Sequence, residues 1–240
     1  SAIFIFSLII ILILINTNSF SNEFIFLIIC SSILIKTGAA PFHFWFPSVI
    51  EGLNWNRALI LITWQKLAPL IVLSYCINLT LLTYSVILSV IFGRLGGLNQ
   101  TSFRKLIAFS SINHLAWIIS GIIYNEVMWI TYLSFYVFLT LNIIFLFNNF
   151  KLININQTFR IFYNNSLIKI FLFIILLSLG GLPPFLGFFP KWIIIETLTF
   201  IKLIRILLII IFFTLITLFF YLRISYSAFL INNLKINLNF

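Results

Sequence analysis

Apolar residues run through this chain in long blocks, and polar residues gather in short gaps between them. A helix needs about 20 predominantly apolar residues to cross a bilayer. By that measure eight spans are expected, at approximately 2–15, 24–50, 56–76, 80–98, 104–123, 126–148, 166–200 and 203–230. The first run is shorter than a full crossing. No period-two alternation marks a strand, and the longest polar stretch, 148–166, reads as a loop. The pattern predicts an all-α polytopic membrane protein, one transmembrane domain over residues 1–240, with a polar tail from Asn232 to Phe240.

Two spans, the second and the seventh, are interrupted, near Gly38 to Pro41 and near Gly180 to Pro184. The interruptions repeat one pattern. Gly38-Ala-Ala-Pro41-Phe42-His43-Phe44-Trp45-Phe46-Pro47 and Gly181-Leu-Pro-Pro184-Phe185-Leu-Gly-Phe-Phe189-Pro190 both read G-x-x-P-F-x-x-x-F-P, each with a lysine beside it, Lys36 or Lys191. An odd number of crossings separates the copies, so they run in opposite directions and form an inverted repeat with two discontinuous helices. Helix breaks at membrane depth need protein or water around them, because lipid cannot satisfy the freed backbone groups. Paired broken helices in two halves of a chain point to an ion or substrate pathway.

Composition agrees with a membrane chain: 62% hydrophobic and 8% charged residues, with a mean hydropathy of +1.21. Fourteen Lys and Arg face four acids, a formal net charge of +10. In a chain of many spans this reflects loop topology and anionic lipid, with cardiolipin as a candidate, and no basic run interleaved with aromatics suggests nucleic acid. One set of loops carries Arg57, Arg104, Lys105, Lys151, Arg160, Lys169 and Lys235, with Arg223 near it, whereas the other carries Lys202 and Arg205. The first set is therefore expected on the cytoplasmic or matrix side. Cys30 and Cys76 lie far apart in apolar segments and read as packing residues. An Ile- and Phe-rich chain with a single Met also suggests an AT-rich coding genome.

Charges inside the spans carry the candidate chemistry. Lys36 lies about twelve residues into its span, and Lys66 lies in the middle of the third span, with Pro69 freeing a carbonyl nearby. Lys191 follows the second break. A mid-membrane lysine costs about 2.5–3.5 kcal/mol on insertion scales, so it requires a partner, water or a function. A buried lysine titrates readily and can pass a proton on. The structural alternatives are snorkelling of Lys36 and Lys191 to an interface and an ion-paired Lys66. Glu196 stands about 140° round the helix from Lys191 and is no same-face partner. His43, between Pro41 and Pro47, reads as a hydrogen-bonded structural histidine. His114, beside Ser110, Ser111 and Asn113, fits a relay and a structural role equally. No G-x-G-x-x-G, Walker A, C-x-x-C or haem-spaced histidine pair is present. No cofactor or metal is expected in this chain.

At these residues the chain resembles a known family. The segments that carry the likeness are Leu34-Ile-Lys-Thr-Gly-Ala-Ala-Pro-Phe-His-Phe-Trp-Phe-Pro47, Thr63-Trp-Gln-Lys-Leu-Ala-Pro69, Gly96-Gly-Leu-Asn-Gln-Thr-Ser-Phe-Arg-Lys105, Ser110-Ser-Ile-Asn-His114 and Leu179-Gly-Gly-Leu-Pro-Pro-Phe-Leu-Gly-Phe-Phe-Pro-Lys-Trp192. They are similar to the antiporter-like membrane subunits of respiratory complex I, in the mitochondrially encoded chain 2 family and in its arthropod form. That family shares ancestry with cation/proton antiporter complexes.

The resemblance implies an antiporter-like fold and a proton-translocating subunit of NADH:ubiquinone oxidoreductase in the mitochondrial inner membrane. NADH, FMN, iron–sulfur clusters and ubiquinone would be held by other subunits, and the partners would be other membrane-arm subunits. It assigns Lys36 to the first broken helix, Lys66 to the central connecting position and Lys191 to the second broken helix, as a proton relay with His114 as a further candidate. It also implies helices beyond both ends of this sequence, one of them carrying a glutamate partner for Lys36. Two competing readings are a cation/proton antiporter subunit without electron transfer and a structural subunit with vestigial relay residues.

Overall fold

A computed structural model describes residues 22–124, 126–155, 157 and 166–234. The expected first span, Arg160 and Lys235 lie outside the described residues, and of Lys169 only the backbone is described. Ten helices are described: α1 (Asn22–Thr37), α2 (Trp45–Gly52), α3 (Trp55–Ile62), α4 (Trp64–Tyr75), α5 (Leu79–Leu95), α6 (Phe103–Tyr124), α7 (Glu126–Asn149), α8 (Ser166–Gly180), α9 (Phe188–Phe200) and α10 (Ile204–Leu234). Among the described residues four stretches are long and apolar enough to cross a membrane: α3 and α4 taken together, α6, most of α7, and Ile204–Arg223 of α10.

Helix α6 is the hub. It packs against α2, α4, α5, α7 and α9, and nearly every side chain from Phe103 to Ile122 is buried. A helix that is apolar all round belongs in such an interior position. Its polar residues, Ser110, Ser111, Asn113, His114 and Ser120, are buried with the rest. Contact with α5 is close because Gly93 has no side chain. A β-carbon there would stand 2.9 Å from the backbone nitrogen of Asn113. Small residues permit this approach between membrane helices. Asn78 caps α5, its side chain accepting from the Leu81 amide at 3.2 Å.

The third span departs from the continuous helix expected over 56–76. It is divided at Thr63, which separates α3 from α4. The Thr63 hydroxyl turns back to the Leu59 carbonyl at 2.8 Å. Pro69, inside α4, withholds a further backbone donor from the following turn. No glycine or proline marks position 63, so the residue pattern gave no sign of this division.

The connections gather on two faces. Phe103 donates its amide to the Ile153 carbonyl at 2.9 Å, and Ile155 to that of Thr101 at 3.0 Å, so the α5–α6 and α7–α8 connections meet. The end of α2 is on that face too. Lys105 pairs with Glu51 at 2.9 Å, and Arg104 donates to the Glu51 carbonyl, also at 2.9 Å. Span two therefore ends on this face. Helix α10 reaches Arg94, near the same end of α5, only at Phe213 and Thr217. It therefore starts, and α9 ends, on the opposite face. The two broken spans run antiparallel, as an inverted repeat requires.

Candidate functional site

The two breaks share one backbone design. Gly38 has φ +74° and Gly181 φ +80°, the left-handed region that L-residues with side chains avoid. At the first break the Gly38 and Ala39 amides both bond the Leu34 carbonyl, at 3.1 and 3.2 Å. At the second, Gly181 and Leu182 both bond Leu177, at 3.0 and 3.4 Å. Phe42 then donates to Ala39, and Phe185 to Leu182, each at 3.0 Å. Every pair keeps the same sequence offset. The repeated decapeptide is thus a repeated helix terminus, with the helix-end carbonyls turned toward the break.

Different side chains meet those carbonyls. At the first break the Trp45 indole donates to the Ile35 carbonyl at 3.0 Å. At the second, the Lys191 ammonium reaches back from α9 to the carbonyls of Gly180, at 2.8 Å, and Leu179, at 3.2 Å. Leu179 is the repeat equivalent of Lys36. The second lysine follows its break in sequence, yet its amine turns back to the carbonyl of the residue equivalent to Lys36. Cations at helix C-termini are held by the unpaired carbonyls and the helix dipole. A cavity of ≈ 250 Å³ opens beside Lys191, walled by Trp117, Gly181, Phe188, Thr214 and Leu218.

Lys66 is 3% exposed. Its ammonium has no hydrogen-bond partner among the described residues. It stands 4.6 Å from the centre of the Phe46 ring, which the first break presents, and 5.8 Å from that of Tyr136. Aromatic faces attract a cation but do not replace its hydration. The ion-pair alternative finds no support: Glu51, the nearest acid in sequence with a described side chain, pairs with Lys105 instead.

His114 continues the cluster. Its Nδ1 lies 2.9 Å from the Tyr132 hydroxyl, and its ring is 4.9 Å from that of Tyr136. Tyr136 thus adjoins both Lys66 and His114. Both tyrosines escaped the sequence analysis. Their signal was the spacing of Trp129, Tyr132 and Tyr136, which puts three amphipathic aromatics on one face of α7. Arg94 also escaped it. It is 0% exposed, and its guanidinium bonds Asn113 Oδ1 at 2.8 and 2.5 Å, Thr217 Oγ1 at 3.1 Å and the Phe213 carbonyl.

The remaining candidates sit apart from this cluster. Lys36, in the last turn of α1, is exposed on the described chain. His43 is buried between the rings of Phe44 and Phe92, at 4.4 and 5.0 Å. Glu196 is exposed while Lys191 is buried, as their angular separation implied. Cys30 and Cys76 are free thiols, Cys30 donating to the Cys76 carbonyl at 2.7 Å. No group of three or more His, Cys, Asp or Glu gathers among the described residues. What the arrangement offers chemically is a set of groups able to hold and hand on protons. Lys66, Tyr136, His114 and Tyr132 lie in sequence along the α4–α6–α7 contact, and Lys191 lies at the second break.

Comparison with known proteins places this geometry. The family described as NADH:quinone oxidoreductase/Mrp antiporter, TM, matches residues 3–217. NADH-ubiquinone oxidoreductase chain 2 of Anopheles gambiae is 52% identical over 236 residues, covering 98% of this chain and 69% of the relative. The Aedes aegypti protein of that name is 55% identical over 199 residues, 83% of this chain and 58% of its own length. The chain therefore spans roughly three-fifths to two-thirds of these relatives. Among solved structures, a chain of respiratory complex I from Thermus thermophilus with bound aureothin superposes with a TM-score of 0.78 at 24% identity, over 86% of this chain and 49% of that one. A chain of the Mrp complex from Dietzia sp. gives 0.70 at 16% identity, over 83% and 41%. At such identities the likeness is one of fold.

Proposed function

We propose, from the premise that this chain belongs to the NADH-ubiquinone oxidoreductase chain 2 family of antiporter-like membrane subunits, that it is a proton-translocating subunit of complex I. It would work in the mitochondrial inner membrane beside other membrane-arm subunits. Electrons would pass from NADH through flavin and iron–sulfur centres to ubiquinone in those other chains. The energy released would drive protons through Lys66 and Lys191 here, with Tyr136, His114 and Tyr132 between them and Lys36 continuing the path at the first break. The observation that carries this reading is Lys66, an ammonium buried among aromatic rings without a hydrogen-bond partner among the described residues. Structural lysines are paired or snorkel, whereas a group that must give up and regain a proton is better left unpaired.

Orientation follows from the loops. The face where residues 101–105 meet 153–155 carries Arg104, Lys105 and Lys151, and by the positive-inside rule it belongs in the matrix. Its charge also suits anionic lipid such as cardiolipin.

The competing reading, a cation/proton antiporter without electron transfer, shares the breaks and the lysines. Against it stands the 52–55% identity to insect chain 2 proteins, beside 16% to the Mrp complex chain. Purification of the assembly through an affinity tag on this chain separates the two. Bound flavin and NADH–quinone oxidoreduction coupled to proton uptake are expected. A flavin-free assembly that exchanges cations for protons would favour the antiporter.

A further inference from the structure

Arg94 is a cation that the proposed proton path does not use. It is fully buried, and among the described residues no carboxylate lies within ion-pair distance of it. It joins three helices: α5, on which it stands, α6 through Asn113, and α10 through Phe213 and Thr217. Neutral dipoles alone satisfy it. Leaving an isolated charge in the interior is costly, and a guanidinium, unlike a lysine, does not escape by losing its proton.

Its position suggests what the charge does. Asn113 is next in sequence to His114, the histidine bonded to Tyr132. On the other side, Thr217 donates to the Thr214 carbonyl at 2.8 Å, and Thr214 lines the cavity beside Lys191. Arg94 therefore ties the helix that carries His114 to the helix whose Thr214 lines the Lys191 cavity. We propose that Arg94 is a positioning residue whose permanent positive charge seals the α5–α6–α10 contact against stray protons, so that protons cross only by the lysine path. Fixed cations exclude protons from other membrane pores in this way.

This inference rests on the proton-translocating reading, but its test needs no turnover. Complexes carrying Arg94→Gln, Arg94→Lys or Thr217→Val are reconstituted into liposomes, and the decay of an imposed pH gradient is followed without NADH. Glutamine keeps hydrogen bonding and removes the charge, so the gradient should decay roughly tenfold faster. A tenfold change in rate corresponds to about 1.4 kcal/mol of barrier. Lysine can shed its proton where arginine cannot, so Arg94→Lys should hold the gradient at acid pH, where it is charged, and leak at alkaline pH. Thr217→Val removes an acceptor and keeps the charge, and should hold the gradient. A parental decay rate in Arg94→Gln would overturn the proposal. So would a leak in Thr217→Val, or a leak in Arg94→Lys that does not depend on pH, either of which would make the seal one of packing. If Arg94→Gln fails to assemble, the pH dependence of Arg94→Lys still decides, because a gradient held at alkaline pH as well as at acid pH would overturn the proposal. Failure here would leave the lysine path untouched, because that path is tested by pumping and not by leak.

Discussion

Gly181 and Lys191 bind each other's fate at the second break. Gly181 is in the left-handed region, and a β-carbon on it would lie 2.6 Å from the Lys191 ammonium. Gly181→Ala would thus cost about 1–2 kcal/mol in backbone conformation and push the amine from the Gly180 carbonyl. Assembled complexes carrying it should melt at lower temperature and pump less. Gly52→Ala, where a β-carbon meets nothing within 4 Å, is the control and should melt as the parent does. The residues that carry charge were legible to different degrees. Lys66 stands out because it is the one charge in the middle of a long apolar run, with only Thr63 and Gln65 polar beside it. Arg94 does not: it is near the end of α5, one residue before Leu95 and the Gly96–Gly97 turn, where a basic residue ordinarily meets the interface. Its burial comes from α10, more than a hundred residues on, and no local pattern records that contact.

Helix elements were legible wherever glycine and proline spell a terminus. The decapeptide repeat is reproduced as a repeated set of hydrogen bonds because Gly at the helix end and Pro beyond it leave the backbone few alternatives. The division of the third span at Thr63 was not legible. There the Leu59 carbonyl accepts from the Thr63 hydroxyl as well as from its amide, and a threonine signals that only in context. The joined α5–α6 and α7–α8 connections lead to a topological prediction. A cysteine at exposed Thr101 should react with a membrane-impermeant maleimide from the matrix face only. One at exposed Lys202 should react only from the intermembrane face. Labelling in the opposite sense would invert the assignment.

At the scale of the whole molecule, α6 organises everything else. Its polar residues face inward, so the interior holds Ser111, Asn113 and His114 where a soluble core would hold aliphatic chains. Among the buried cations Arg94 bonds this hub through Asn113, whereas Lys191 bonds the carbonyls of the second break and Lys66 has no hydrogen-bond partner among the described residues. Disturbing the hub should therefore affect coupling before it affects assembly. His114→Phe keeps volume and aromatic contacts with Tyr136 but cannot bond Tyr132. It should leave complex abundance near the parental level, as read by native gel, and slow coupled proton uptake by about tenfold, below the 10²–10⁴ typical of a positioned acid–base group because Tyr132 and Tyr136 remain. Unaltered uptake would return His114 to a structural role.

The central claim is that Lys66 carries protons, and one substitution addresses it. Lys66→Met exchanges an ammonium that costs about 2.5–3.5 kcal/mol at membrane depth for an apolar chain of similar length. Complexes should therefore assemble at least as well as the parent. In liposomes, the number of protons pumped per NADH oxidised should fall, or NADH–quinone turnover should drop on the order of a hundredfold if pumping and electron flow cannot be separated. Complexes that assemble, oxidise NADH and pump at the parental ratio would contradict the account and make Lys66 a structural residue.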